Sequence, residues 1–213
     1  MEDFQTARKY AAAITLSKKL IRRNFQTVIC ATLAEAKEHA LQAINPTKTV
    51  GFGGSLTVAA SGLIPALYER GQKVIDRERT TTPEARHQVM RQALTADYFL
   101  TSINGIAETG ELVNVDNIGN RVAALTFGPE KVLAFVSMNK VYGNLETSLE
   151  RVRNQTAPLN SWRLNLKDTP CIKTGNCGNC LKPECICNTI AITRRSPVPE
   201  RIVIYLILED AGV

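Results

Sequence analysis

Apolar residues along this chain recur with two different periods, and the switching between them outlines the fold. Residues 3 to 24 place Phe4, Ala7, Ala11, Ile14 and Ile21 at near-helical spacing with charges between them, the pattern of an amphipathic helix packed on a core. Residues 26 to 30, QTVIC, read as a strand. Thr32-Leu33-Ala34-Glu35 is then a capping box, with the Thr32 hydroxyl offered to the Glu35 amide and the Glu35 carboxylate reaching back. A helix should run from there to about Ile44, where Pro46 stops it. The unit repeats: Thr49 to Phe52 make a short buried strand, and Leu56 to Arg70 keep helical spacing despite Gly62 and Pro65. Lys73 to Ile75 is another strand, and Thr82-Pro83, a cap with proline at the first helical position, opens a helix to about Leu94.

Strands follow at Asp97 to Thr101, Glu111 to Val115 and Lys131 to Ser137, with a turn at Asn117 to Asn120 leading into Arg121 to Leu125. Asn144 to Asn154 reads as a helix, and Thr189 to Thr193 and Ile202 to Leu208 as two last strands. Strands that alternate with helices need crossover connections, which predicts an α/β fold with a mainly parallel sheet covered by helices on both faces. A chain of 213 residues, 44% hydrophobic and 22% charged, suits one domain over residues 1–213. No apolar run is long enough for a bilayer span.

Cysteine changes the picture. Five of the six cysteines, Cys171, Cys177, Cys180, Cys185 and Cys187, fall in one cysteine-rich loop near the C-terminus, residues 170–188, read as an insertion because predicted strands follow it. Met1-Glu2-Asp3-Phe4 leads straight into a basic amphipathic segment with no apolar leader, so a cytoplasmic location with reduced thiols is expected. A dense thiol cluster in that compartment holds zinc or an iron–sulfur cluster more often than disulfides. Both accept four thiolates, and the gaps here match neither pattern cleanly. Cys177 and Cys180 are the first choice of ligands, with Cys171 and one or both of Cys185 and Cys187 completing the set. Lys173 and Lys182 are expected to lower nearby thiol pKa values. A metal-free redox thiol pair is the third option.

Net charge is +6, but the basic residues are dispersed and aromatics make up only 6%. That balance suits a small anionic ligand, and nucleic acid ranks last because no basic stripe or stacking aromatics adjoin the cysteines. Two segments carry candidate chemistry. In Thr49-Val50-Gly51-Phe52-Gly53-Gly54-Ser55-Leu56-Thr57 a strand enters a glycine-rich turn and then a helix, where a phosphate or carboxylate would dock, or where the turn is merely tight. It has neither a Walker lysine nor dinucleotide-fingerprint spacing. The second, Asn104 to Asn114, places Glu108 beyond a predicted strand as a base or nucleophile, or as a carboxylate that fixes a hairpin through backbone amides or Arg121. His39 and His87 lie on predicted helices without a partner pattern and read as surface or packing residues.

The stretch Ala107-Glu108-Thr109-Gly110-Glu111-Leu112-Val113-Asn114, followed by Gly119-Asn120-Arg121-Val122-Ala123-Ala124, Phe127-Gly128-Pro129 and Met138-Asn139-Lys140-Val141, resembles the LUD domain of the lactate-utilisation protein family. With Gly51 to Ser55, the resemblance covers roughly residues 1 to 160. It implies a fold related to ribose-5-phosphate isomerase and the coenzyme A transferases. By that analogy Gly51, Gly53, Gly54, Ser55 and Thr57 would contact an anion, joined by Asn104, Thr109, Gly110, Asn120 and Arg121. Glu108 is similar to the transferases' nucleophilic glutamate, which would suit acyl transfer or isomerisation of a phosphorylated or coenzyme A substrate. The family's own implied role is oxidation of lactate to pyruvate with iron–sulfur or flavin partner proteins. The chain departs from the family's shared core in its cysteine loop, which fits an electron-transfer metal site or, with zinc, a non-enzymatic binding module. A second copy of the chain is a further expected partner, in a homo-oligomer.

Overall fold

The computed structural model describes residues 4–213; the reading of residues 1–3, as a leaderless start and the opening of the first helix, lies outside them. Six strands form one sheet: β1 (Gln26–Cys30), β2 (Thr49–Phe52), β3 (Lys73–Ile75), β4 (Tyr98–Thr101), β7 (Lys131–Ser137) and β10 (Ile202–Ile207). Their order is β1-β10-β7-β4-β2-β3, and every pairing is parallel. The helices are α1 (Phe4–Arg22), α2 (Leu33–Ala43), α3 (Leu56–Ala60), α4 (Leu63–Glu69), α5 (Pro83–Gln92), α6 (Asn120–Thr126), α7 (Leu145–Arg151), α8 (Ala157–Arg163) and α9 (Pro170–Thr174).

Alternation along the central strands builds two cores. Val132, Ala134 and Val136 of β7 and Ile202, Ile204 and Leu206 of β10 point to the face covered by Ala13, Leu16 and Leu20 of α1 and Ala124 and Leu125 of α6. Leu133, Phe135, Val203, Tyr205 and Ile207 point the other way, onto Ala36 and Ala40 of α2 and Leu63 and Leu67 of α4. The strands are thus apolar on both sides, as a doubly covered parallel sheet requires. Asp97 ties the starts of β2 and β4 together, accepting from the Thr49 amide at 2.7 Å, the Thr49 hydroxyl at 2.6 Å and Lys48 Nζ at 2.7 Å.

Two expected strands do not join that sheet. β6 (Leu112–Asp116) and β9 (Thr189–Thr193) pair antiparallel with each other in a second, four-stranded sheet of order β8-β5-β6-β9, with β5 (Gly105–Ala107) and β8 (Val141–Tyr142). The tight turn at Glu108–Glu111 reverses the chain, so β6 runs back along β5 instead of crossing over. The segment Leu56–Arg70 is likewise two helices rather than one. Gly62, at φ 70°, breaks the helical path between them. The Thr32 cap holds as expected, accepting from the Glu35 amide at 3.1 Å, while the Glu35 carboxylate reaches the Ala31 amide at 2.5 Å rather than that of Thr32.

Candidate active-site cleft and cysteine cavity

In parallel sheets the loops after the strands converge at one edge, and here four of them build a cleft of about 380 Å³. Gly54, Ser55 and Thr57 follow β2, Arg77 follows β3, Ser102 and Asn104 follow β4, and Lys140 follows β7. The opposite wall comes from Val115 and Asp116 at the end of β6, Asn120 and Arg121 of α6, Arg86 and His87 of α5, and Asn160 and Arg163 of α8. Among the described residues, five cationic side chains therefore line the cleft, against the single side-chain carboxylate of Asp116.

That carboxylate is already engaged: it takes Arg121 at 3.1 Å and the Val122 amide at 3.0 Å. Arg121 also donates to Asn104 Oδ1 at 2.8 Å and to the Val115 carbonyl at 2.5 Å, which leaves its buried Nε without a partner among the described residues. Arg77 and Arg86 share Glu78, at 3.0 and 2.9 Å. Lys140 is different. Only 3% exposed, it makes no salt bridge among the described residues; Nζ meets the Thr57 hydroxyl at 2.9 Å and the Ser102 hydroxyl at 3.2 Å. Burial first, and then the neighbouring Arg121 and Arg151, bring its pKa down to about 8.

The glycine-rich turn divides between packing and site. Gly51 is there for close contact, since a Cβ would come within 2.9 Å of the Ala93 side chain. Gly53 faces the Phe99 ring and Arg121, and Gly54 lies under the Arg77 guanidinium, where a Cβ would sit 2.5 Å from Nη2. Ser55 caps α3 by accepting from the Val58 amide at 3.2 Å. Thr57 contributes its hydroxyl, to Lys140.

The structure separates Glu108 from this cleft. Glu108, Ala11, Thr15, Lys19 and Val141 border another cavity, of about 260 Å³, against α1. The Glu108 amide donates to the Tyr142 carbonyl at 2.7 Å, and its side chain is exposed. Thr109 and Gly110 complete the β5–β6 turn. The Thr109 carbonyl accepts from Arg23 Nε at 2.9 Å, the Gly110 amide donates to the Ala107 carbonyl at 2.7 Å, and the Thr109 hydroxyl and Arg23 both meet Glu111. Arg121 pairs with Asp116 rather than Glu108. Lys140, Arg77, Arg86, Arg163, Ser102 and Asp116 escaped sequence reasoning. Only Lys140 lay in a recognisable motif, Met138-Asn139-Lys140-Val141.

All five loop cysteines, Cys171, Cys177, Cys180, Cys185 and Cys187, line one cavity of about 110 Å³, with Ser161 of α8 and Thr169. All are free thiols, and Cys30, the sixth, is buried away from them in the α2 core. Cys171 Sγ contacts Thr169 Oγ1 at 3.1 Å, and the Cys187 amide donates to Cys185 Sγ at 3.4 Å. Lys173 and Lys182 do not serve the thiols as expected. Both pair with Asp168, at 2.5 and 3.3 Å, and burial pushes the Cys187 thiol up to about 12 and raises that of Cys185. Gly178 lets the loop close, since a Cβ there would come within 2.6 Å of Pro170. Among the described residues no three or more His, Cys, Asp or Glu side chains are grouped closely enough to hold a metal ion. The thiols converge, then, without reaching ligation spacing.

A family model for the LUD domain matches residues 15–207. The chain belongs to the LUD domain family. The match covers both sheets, the cleft and the cysteine loop of this LUD domain. No curated protein matches it. A crystal structure of a DUF162 family protein from Deinococcus radiodurans is similar over 94% of this chain and 98% of that one, with a TM-score of 0.53 and 13% identity. At that identity the likeness bears on the fold: an α/β architecture with a parallel sheet between helical layers. No helix among the described residues is long and apolar enough to cross a membrane.

Proposed function

We propose that this LUD domain serves in cytoplasmic organic-acid oxidation, of the lactate-to-pyruvate kind its family resemblance implies, holding a small organic anion in the cleft and a metal on the cysteine loop. One observation carries the reading: α8 stands between the two cavities. Its Asn160 and Arg163 line the cationic cleft, its Pro158 and Ser161 line the thiol cavity, and Ile186 borders both. A ligand and a redox centre would thus sit on either side of a single short helix.

The thiols supply the right donor chemistry for the metal. Cys177 and Cys180 with Cys171 and Cys185 or Cys187 offer four sulfurs around one cavity, and clustered thiols shed their protons when a cation binds. Ligation spacing would be reached by tightening of the loop on the metal. An iron–sulfur cluster would supply one-electron transfer, whereas zinc would only fasten the loop. Oxidation of a hydroxy acid releases two electrons and two protons, so an iron–sulfur or flavin partner protein completes the electron path.

Purification without oxygen, followed by visible spectroscopy and assay of iron, sulfide and zinc, tests this. Broad absorption with iron and sulfide, lost in Cys177→Ser and Cys180→Ser, is the expected result. A protein that carries no metal and takes none up on reconstitution would overturn the redox half. The cleft half is tested separately by calorimetry with lactate and pyruvate.

A further inference from the structure

Lys140 combines four properties that a purely structural lysine lacks. It is buried, it lines the cleft, it has no counter-ion among the described residues, and two hydroxyls hold its amine. Nζ of an ammonium carries three protons, of which Thr57 and Ser102 accept two; the third has no acceptor among the described residues. The charged groups that act on it, Arg121 from α6 and Arg151 from α7, are both cations. The backbone at Gly212 crowds the amine as well, since a Cβ there would come within 2.8 Å of Nζ. A desolvated lysine beside other cations is the environment in which the amine becomes a nucleophile. The cleft holds no competing thiol or glutamate: the cysteines and Glu108 line other cavities.

We propose that Lys140 is the reactive amine of the cleft and condenses with the carbonyl group of a bound 2-oxo acid to form an imine. This rests on the reading of the cleft as an organic-anion site. Arg121 and Arg163 line the same cleft as Lys140 and would take the ligand's carboxylate, which would leave the adjacent carbonyl carbon for the amine. The neutral nitrogen adds its lone pair to that carbon, and the C=O π electrons move to oxygen. The alkoxide takes a proton to give a carbinolamine; its C–O bond then breaks, water leaves and C=N forms. One amine and one ketone yield one imine and one water, with no net oxidation or reduction. Ser102 donates to the Ile103 carbonyl at 3.3 Å and so accepts from Lys140, while the Thr57 hydroxyl is free to reverse its bond and relay the proton.

The test uses the full chain with pyruvate and sodium cyanoborohydride near neutral pH, peptide mapping of the reduced adduct, and calorimetry of pyruvate in parallel. The adduct is expected on Lys140 at least about tenfold faster than on exposed lysines, because its pKa of about 8 leaves far more free amine. Lys140→Arg should abolish that adduct, and Thr57→Val should slow it with Lys140 still in place. Pyruvate binding without an adduct, or an adduct spread over surface lysines, would overturn the imine and leave the cleft reading standing. Absence of both binding and adduct would overturn the cleft reading as well.

Discussion

Lys140 carries a stability signature that is independent of any ligand. Its pKa falls from 10.5 to about 8 on folding, so between those values the unfolded chain keeps a proton that the folded chain has released. Stability from this group is therefore lowest below about pH 8 and rises as pH climbs toward 10.5. Lys140→Met should lose that rise. It should also stabilise the ligand-free protein at pH 7 by about 1 kcal/mol, by removing an unpaired buried charge, while abolishing the pyruvate adduct. Urea unfolding of both proteins across that pH range is the check. None of this was legible in Met138-Asn139-Lys140-Val141 by itself. A lysine is most often solvated, and nothing local says that β7 will deliver this one beneath the loops of β2 and β4. The thiols were legible because their clustering is local in sequence, as was the glycine turn.

At the scale of elements, two contacts decide whether neighbouring pieces fit. The Gly51 Cα hydrogens pack against Ala93, just after α5, so Gly51→Ala should destabilise by about 1–3 kcal/mol through overpacking. Adding Ala93→Gly should restore part of that loss, seen as a partial recovery of the denaturation midpoint. Arg201, buried beside β10, caps α6 on the same face of the sheet: it donates to the carbonyls of Ala124 at 2.7 Å, Leu125 at 2.7 Å and Pro129 at 3.1 Å, around the end of that helix. Arg201→Met strands those acceptors and should cost about 3 kcal/mol in chemical denaturation. Two helices could be placed from their caps, since Thr32 and Thr82 announce α2 and α5 with a hydroxyl three residues ahead of an orphan amide. The second sheet could not. β5 and β8 are three and two residues long, too short for a period to register, and the pairing of β5 with β6 is set by the turn that Arg23 of the α1–β1 connection clasps.

Over the whole molecule the sequence pointed to an α/β sheet and a thiol cluster, but it gave no sign that α8 would lie between the cleft and the thiols. The helix begins directly after a wide turn at Val152–Thr156, with Pro158 in its first turn. Shared walls couple sites. Cys177→Ser should disturb the packing of Pro158 and Ser161 and weaken pyruvate binding several-fold, on the order of 1 kcal/mol, with the fold intact by circular dichroism. Unchanged affinity in calorimetry would show that α8 insulates the two cavities instead.

The position of β10 has a consequence for how the chain is made. Gln26 in β1 pairs with Val203, and β10 in turn pairs with β7, so β1 has no neighbour in the sheet until β10 has been synthesised. A growing chain on the ribosome therefore waits, with β1 and the outer edge of β7 unpaired and apolar, for a strand that lies far downstream of β1. Chaperone demand during synthesis should concentrate on that interval, and a ribosome stalled just before Ile202 would present the cell with a sticky, half-open sheet.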